Sequence, residues 1–192
     1  MKVLKFGGSS LADATRYLRV TEICMTAHQT EGAAVVLSAP KGVTNALSLL
    51  CDQAAAGEDF NPLFTKLDEL VNGIAKELDE TLTGFPFEKV STFIASRLGI
   101  LKQQLEGIRL LGTAPDSVAA EILSLGEYIS VSMFGGILES KGVANQLIDP
   151  VDYVLANGEY LDSIADVALS KARFSEVVSD GSVFLVMPGF VA

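Results

Sequence analysis

Cysteine and basic residues are scarce in this sequence of 192 residues, and long apolar runs are missing. Each shortage excludes something. The two cysteines, Cys24 and Cys51, lie inside apolar segments and match neither a metal-ligand spacing nor a redox CxxC pair. They read as small buried hydrophobes in a reducing compartment. Lys and Arg number 14 against 24 Asp and Glu, a formal net charge of −10. Grooves for polyanions need clustered cations, so nucleic acid and an anionic membrane face are excluded as partners. Any anionic ligand must be held locally, by a few cations and by backbone N–H groups. The start, Met1-Lys2-Val3-Leu4-Lys5-Phe6, has no apolar run to serve as a signal sequence. No segment approaches the roughly 18 to 20 apolar residues of a membrane span. The expected location is therefore the cytoplasm. Internal repeats, low-complexity tracts and long charge runs are absent as well.

What is present is a globular composition, 49% hydrophobic and 20% charged. The length suits one domain that buries a core without a disulfide or metal staple. Val3 to Phe6 reads as a strand, Gly7-Gly8 as a turn, and Ser10-Leu11-Ala12-Asp13 as a capping box opening a helix to about His28. After Gly32, Ala33 to Leu37 reads as a buried strand, which makes a βαβ unit and hence a parallel sheet.

Ser38-Ala39-Pro40-Lys41-Gly42 is a loop, and Thr44 or Asn45 can cap a helix running to Gly57. Apolar residues at helical spacing predict a helix from Asn61-Pro62 to Gly84 and another from Phe87 to Gly112, a hairpin forming a covering layer. Pro115-Asp116-Ser117 opens a further helix to Gly142, with a local irregularity expected at Gly126-Glu127. Val143 to Ile148 reads as a strand, Val151 to Leu155 as a short apolar segment, Ser163 to Val178 as a weaker helix, and Ser182 to Met187 as a buried strand.

The motif that best suits chemistry is Lys5-Phe6-Gly7-Gly8-Ser9-Ser10. Glycines after a strand let backbone N–H groups approach a phosphate, the next helix offers its positive end, and a lysine adds a mobile charge. It is neither a Walker A motif nor a GxGxxG fingerprint. On spacing alone, a phosphate-binding turn and a plain tight turn both stand.

This opening resembles the signature of the aspartokinases, members of the amino-acid kinase family, with Ser9 where they usually carry Thr. Further matches follow in order. Val36 to Asn45 is similar to the family's second-strand loop, Ser124-Leu125-Gly126-Glu127-Tyr128-Ile129-Ser130 to its Gly-Glu element, and Gly189-Phe190 to the Gly-Phe ahead of its substrate loop. Leu125 stands where the family often has a basic residue or His. Asp149-Pro150 and the stretches around Gly112 and Pro115 resemble most the kinase half of bifunctional aspartokinase–homoserine dehydrogenases.

The resemblance implies an α/β, three-layer amino-acid kinase-like fold with a mainly parallel central sheet, here its N-terminal, aspartate-side part. It also implies phosphoryl transfer from ATP, carried with Mg²⁺, to the side-chain carboxylate of L-aspartate. That nucleophile is already ionised at neutral pH, so His28, the single histidine, need not act as a base. By the resemblance Lys5 is catalytic, and Lys5, Gly7, Gly8 and Ser9 contact the ATP phosphates. Ser38, Thr44, Glu127 and Phe190 face aspartate, with Glu127 offering its carboxylate to the ammonium. A packing role for Phe190 stays open beside the contact role. No protein metal ligands are expected, the assembly is expected to be a homo-oligomer, and NADP enters only if a dehydrogenase domain follows. The family's later Gly-Arg-Gly-Gly-Ser-Asp-like element and its adenine-binding and regulatory segments have no match within residues 1–192. The chain on its own is therefore expected to be inactive, and the alternative reading is a non-catalytic folded portion that binds aspartate or self-associates.

Overall fold

The computed structural model describes residues 1–175 and 183–190. Its elements run β1 (Lys2–Phe6), α1 (Ala14–Glu31), β2 (Ala33–Leu37), α2 (Val43–Ala55), α3 (Asn61–Thr81), α4 (Phe87–Leu111), α5 (Asp116–Ser140), β3 (Asn145–Leu147), α6 (Val167–Phe174) and β4 (Phe184–Pro188). The strands form one four-stranded sheet in the order β1-β2-β4-β3, with every neighbouring pair parallel. Alternation along each strand sends side chains to opposite faces. Ala33, Val35, Leu37, Phe184 and Val186 join the main core, whereas Ala34 and Leu185 pack with Ile148, Tyr153 and Phe174 on the other face. Helices thus lie on both faces: α1 and α5 on one, α6 on the other, with α2, α3 and α4 stacked outside α5.

The core helix is α5. Its buried residues run from Ile122 to Leu138 with few gaps, all round the helix, as a helix enclosed on every side requires. By length and composition it could cross a membrane, which qualifies the sequence reading that no segment approaches a span. Yet 78% of its apolar window is buried inside the protein. A buried hydrogen bond of 2.7 Å between the Tyr17 and Ser130 hydroxyls ties α1 to α5. Burial drives the Tyr17 phenol well above its ordinary pKa, so it stays neutral. Cys24 and Cys51 are buried free thiols, pushed up to about 12 and about 11 chiefly by desolvation.

Several local expectations are corrected. Ser10 to Asp13 is not one capping box. Gly8–Leu11 forms a short 3-10 turn, and the Asp13 side chain caps α1 by accepting from the Arg16 N–H at 2.9 Å. Neither Thr44 nor Asn45 caps α2, which begins at Val43 behind Gly42, a glycine with φ of 87° and no side chain to cap with. The strand expected from Val143 to Ile148 is confined to Asn145–Leu147. The weaker helix begins at Val167 rather than Ser163, because the Asp166 carboxylate accepts from the Leu169 N–H and sets the first turn there. Its expected end at Val178, like Ser182 at the start of the last strand, lies outside the described residues.

At Gly126 the sequence reading expects an irregularity, but α5 runs through it unbroken. The glycine serves close approach. A Cβ there would stand 2.6 Å from Val43 Cγ1 and 2.7 Å from Ala39 Cβ, so α5 and the β2 loop touch at backbone distance. Gly126→Ala is therefore expected to destabilise the chain by about 1–3 kcal/mol in urea unfolding. Gly99→Ala, at an exposed α4 position with nothing within 4 Å of the added methyl, is expected to stabilise by about 0.5–1 kcal/mol. Equal effects at the two positions would sink the close-approach account.

Candidate functional site at the carboxyl edge of the sheet

In an open parallel sheet, ligands gather outside the carboxyl ends of the strands, where the loops diverge. Here β1 delivers Lys5, Phe6, Gly7 and Gly8 to that edge, β2 delivers Ser38 and Ala39, and β4 delivers Gly189 and Phe190. The ladder continues to the last residues: the Ser38 N–H donates to Phe6 O at 3.0 Å and the Gly189 N–H to Leu37 O at 3.1 Å. Gly8 lies so close to β2 that a Cβ would stand 2.7 Å from Ala39 O, and at Gly189 a Cβ would stand 3.0 Å from Val36 Cγ1. At Gly8 glycine is a packing requirement, because the clash is with backbone, whereas at Gly189 the contact is tight and with a side-chain methyl. Gly7 is different, with open space around its missing side chain.

Into this floor α5 inserts Glu127, which is 9% exposed. Its Oε2 accepts the Phe190 N–H, and the nearby backbone of Gly189 and Ala39 favours the ionised carboxylate. Burial raises the carboxyl above the ordinary glutamate value. These backbone groups and the positive charge of Lys5 oppose that shift without cancelling it. A carboxylate bound to a backbone N–H thus stands at one strand edge with an ammonium within electrostatic reach, a chemistry suited to a zwitterionic or phosphorylated ligand.

Not every residue singled out from the sequence joins this cluster. Lys5, Gly8, Ser38, Glu127 and Phe190 stand at or beside the strand ends, while Thr44 is exposed on the first turn of α2. Ser9 is exposed in the 3-10 turn, and its carbonyl accepts from Arg16 Nη1 at 3.1 Å. It borders a shallow pocket with Ser10, Arg16 and Arg19 on the α1 side. Two further concavities, with volumes near 330 and 450 Å³, lie between α4, α5 and the chain leaving β3, and the second reaches Pro188 at the carboxyl end of β4. Arg97 lines both, its guanidinium 5.1 Å from the Phe93 ring centre and 5.0 Å from that of Tyr128. The Tyr128 hydroxyl donates to Asp149 Oδ1 at 2.8 Å.

The contribution of Ala39 and Gly189 through their amides was beyond sequence reasoning, since any residue but proline carries one. No group of three or more His, Cys, Asp or Glu able to hold a metal occurs among the described residues. His28 lies elsewhere, its Nδ1 accepting from the Ala33 N–H at 3.1 Å while its ring meets Phe184.

A profile described as the amino acid kinase family matches residues 1–192. Among curated proteins, the chain is 34% identical over 193 residues to the bifunctional aspartokinase/homoserine dehydrogenase of Buchnera aphidicola, covering 100% of this chain and 24% of that protein. It is 33% identical over 192 residues to the bifunctional aspartokinase/homoserine dehydrogenase of Haemophilus influenzae, again covering 100% of this chain and 24% of that protein. The chain thus spans about a quarter of the length of these relatives. Among solved structures, E. coli aspartokinase III in complex with aspartate and ADP superposes with a TM-score of 0.82 at 23% identity, covering 99% of this chain and 40% of that one. The complex of the same enzyme with lysine and aspartate gives 0.82 at 22% identity, covering 97% and 40%. At such identities the superpositions establish the fold: an α/β arrangement on a parallel sheet, as the sequence implied.

The sign of the Glu127 shift sets a pH dependence. A carboxyl raised on folding contributes stability that is fully present below its unfolded value, near 4.5, and is lost as pH rises through the higher folded value. In urea unfolding across that window, the wild type is expected to lose stability relative to Glu127→Gln as pH increases. The opposite trend would mean that the amides and Lys5 outweigh burial.

Proposed function

This chain belongs to the amino acid kinase family, and we propose that it forms the aspartate-side part of an aspartokinase catalytic domain. The observation that carries the proposal is the meeting of Lys5, the Glu127 carboxylate and the amides of Ala39, Gly189 and Phe190 at the carboxyl edge of the sheet. Its relatives over the whole chain length are named aspartokinases. Because the chain spans 24% of them, the activity proposed is that of the larger protein in which the segment works.

The reaction is transfer of the γ-phosphoryl group of ATP to the side-chain carboxylate of L-aspartate. An aspartate oxygen attacks the γ-phosphorus, the bond to the β,γ-bridging oxygen breaks, and aspartyl phosphate and ADP leave. The nucleophile is ionised at neutral pH, so no general base is required and no histidine is needed at the edge. What the protein must supply is alignment and relief of repulsion between two anions. Lys5 supplies the cation, with Gly7, Gly8 and Ser9 on the phosphate side. Ser38, Thr44 and Phe190 line the aspartate side, and Glu127 meets the ammonium. That assignment explains an acid beside an acidic substrate: it pairs with the substrate's one cation.

Mg²⁺ enters with ATP as part of the substrate complex, carried on the phosphates. An NADP site belongs to the proposal only through a dehydrogenase domain elsewhere in the parent. Cytoplasmic location, homo-oligomeric assembly and an entry role toward lysine, threonine and methionine are parts of the same reading. A second reading, a folded portion that self-associates, draws on the apolar sheet face, where Met1 is 69% and Val3 63% exposed.

In the parent protein, Lys5→Met is expected to lower ATP-dependent aspartyl hydroxamate formation by roughly 10²–10³-fold while leaving the melting temperature in place. Undiminished activity would remove Lys5 from the mechanism. For the 192-residue chain alone, L-aspartate is expected to raise the melting temperature and L-glutamate to leave it unchanged, with no hydroxamate formed. Robust hydroxamate from this chain would overturn its assignment as one part of the site.

A further inference from the structure

We infer that Glu127 is a positioning residue, whose carboxylate clamps together the chain leaving β2 and the chain leaving β4 before any ligand arrives. Beyond the Gly189 N–H bond to Leu37 O the ladder ends, because β2 stops at Leu37 and its chain turns away at Ala39-Pro40, while β4 stops at Pro188. The Phe190 N–H would then have no strand partner, and an unpaired backbone donor in a half-buried place is costly. Glu127 takes that vacant rung. Its Oε2 accepts the Phe190 N–H and lies against Gly189, 3.6 Å from where a Cβ on that glycine would stand. On the β2 side, α5 meets the same loop at Ala39, whose Cβ lies 2.7 Å from where a Cβ on the neighbouring Gly126 would stand, and the Ala39 backbone bears on the carboxylate from there. One side chain therefore spans both loops, from a helix that Gly126 allows to approach the β2 loop at backbone distance.

An ionised carboxylate offers roughly four acceptor positions. The Phe190 N–H takes one of them, and the Gly189 N–H is already spent on Leu37 O, which leaves at least one position for an incoming donor. A carboxylate reserved only for a ligand would instead stand free until that ligand bound. Lys5 on β1 is the charged side chain that bears on Glu127; β2 and the chain after β4 face it with amides. The clamp does not depend on the aspartate assignment, whereas the remaining acceptor position, facing a ligand ammonium, rests on it.

The test is an NMR titration of the isotope-labelled 192-residue chain from about pH 3 to about pH 8 without ligand. The amide signals of Ala39, Gly189 and Phe190 are expected to share one midpoint with the Glu127 carboxyl carbon. Separate midpoints, or amides that do not respond, would overturn the clamp, and this measurement needs no substitution. In Glu127→Gln the shared transition is expected to vanish, and amide exchange at Phe190 to quicken roughly tenfold or more. Exchange unchanged in a folded Glu127→Gln chain would also overturn it. Addition of L-aspartate to the wild type separates the two readings. A shared titration without aspartate-induced shifts keeps the clamp and removes the aspartate assignment, whereas aspartate-induced shifts without a shared titration do the reverse.

Discussion

Close packing around Ala39 is the constraint on which the rest of the site depends. Gly8 from the first turn and Gly126 from the core helix both approach that residue at distances no Cβ could occupy, while Gly189 presses on Val36 just before it. With side chains at these positions, the strand ends and α5 would stand apart, and Glu127 could not reach the Gly189–Phe190 backbone. Glycine here removes volume at the points where elements from distant parts of the chain must touch. The conformational freedom of Gly42, which turns the chain into α2 at φ of 87°, is a separate use of the same residue type.

Charge follows from that packing. A chain with a formal net charge of −10 has no surplus cations to spread over a surface, and at this edge Lys5 is the cation that bears on Glu127. Lys5 and the backbone amides bear on one buried carboxylate, and burial still raises that group above its ordinary value. The site thus holds a carboxylate whose burial is only partly offset, so an arriving cation meets a partner whose place is already fixed by backbone geometry. Elsewhere the polar groups of the interior hold structure together. His28 accepts an N–H at the start of β2, and the Tyr17–Ser130 pair joins two helices.

The extent to which the sequence was legible differs from element to element. The helices α3 and α4 were clear because apolar residues recur at helical spacing over 21 and 25 residues and their ends carry Pro62 and Gly112. Helix starts were less so. Asp13 and Asp166 win their caps through hydrogen bonds that several nearby polar residues could equally have made, and α2 starts with no side-chain cap at all. At the site, the Lys5-Phe6-Gly7-Gly8 turn and Glu127 were visible as residue types in a suggestive order. The part played by the Ala39 and Gly189 amides was invisible, since an amide leaves no mark in a sequence. Gly126 was visible as a glycine, but its purpose was misread, because the atoms that exclude a Cβ there belong to residues more than 80 positions earlier.

By itself the sequence determined the class of the fold, the parallel βαβ opening, the helical layer and the family resemblance. All of these rest on local periodicity, turn residues and the order of short motifs along the chain. Only the tertiary structure decided that Glu127 is enclosed, that it reaches an N–H 63 residues away, and that clefts open between α4, α5 and the carboxyl ends of β3 and β4. The reason is physical. Helices and turns are set over a few neighbouring residues, whereas strand pairing, burial, close approach and the balance of charge depend on which distant segments the packed core brings to contact distance.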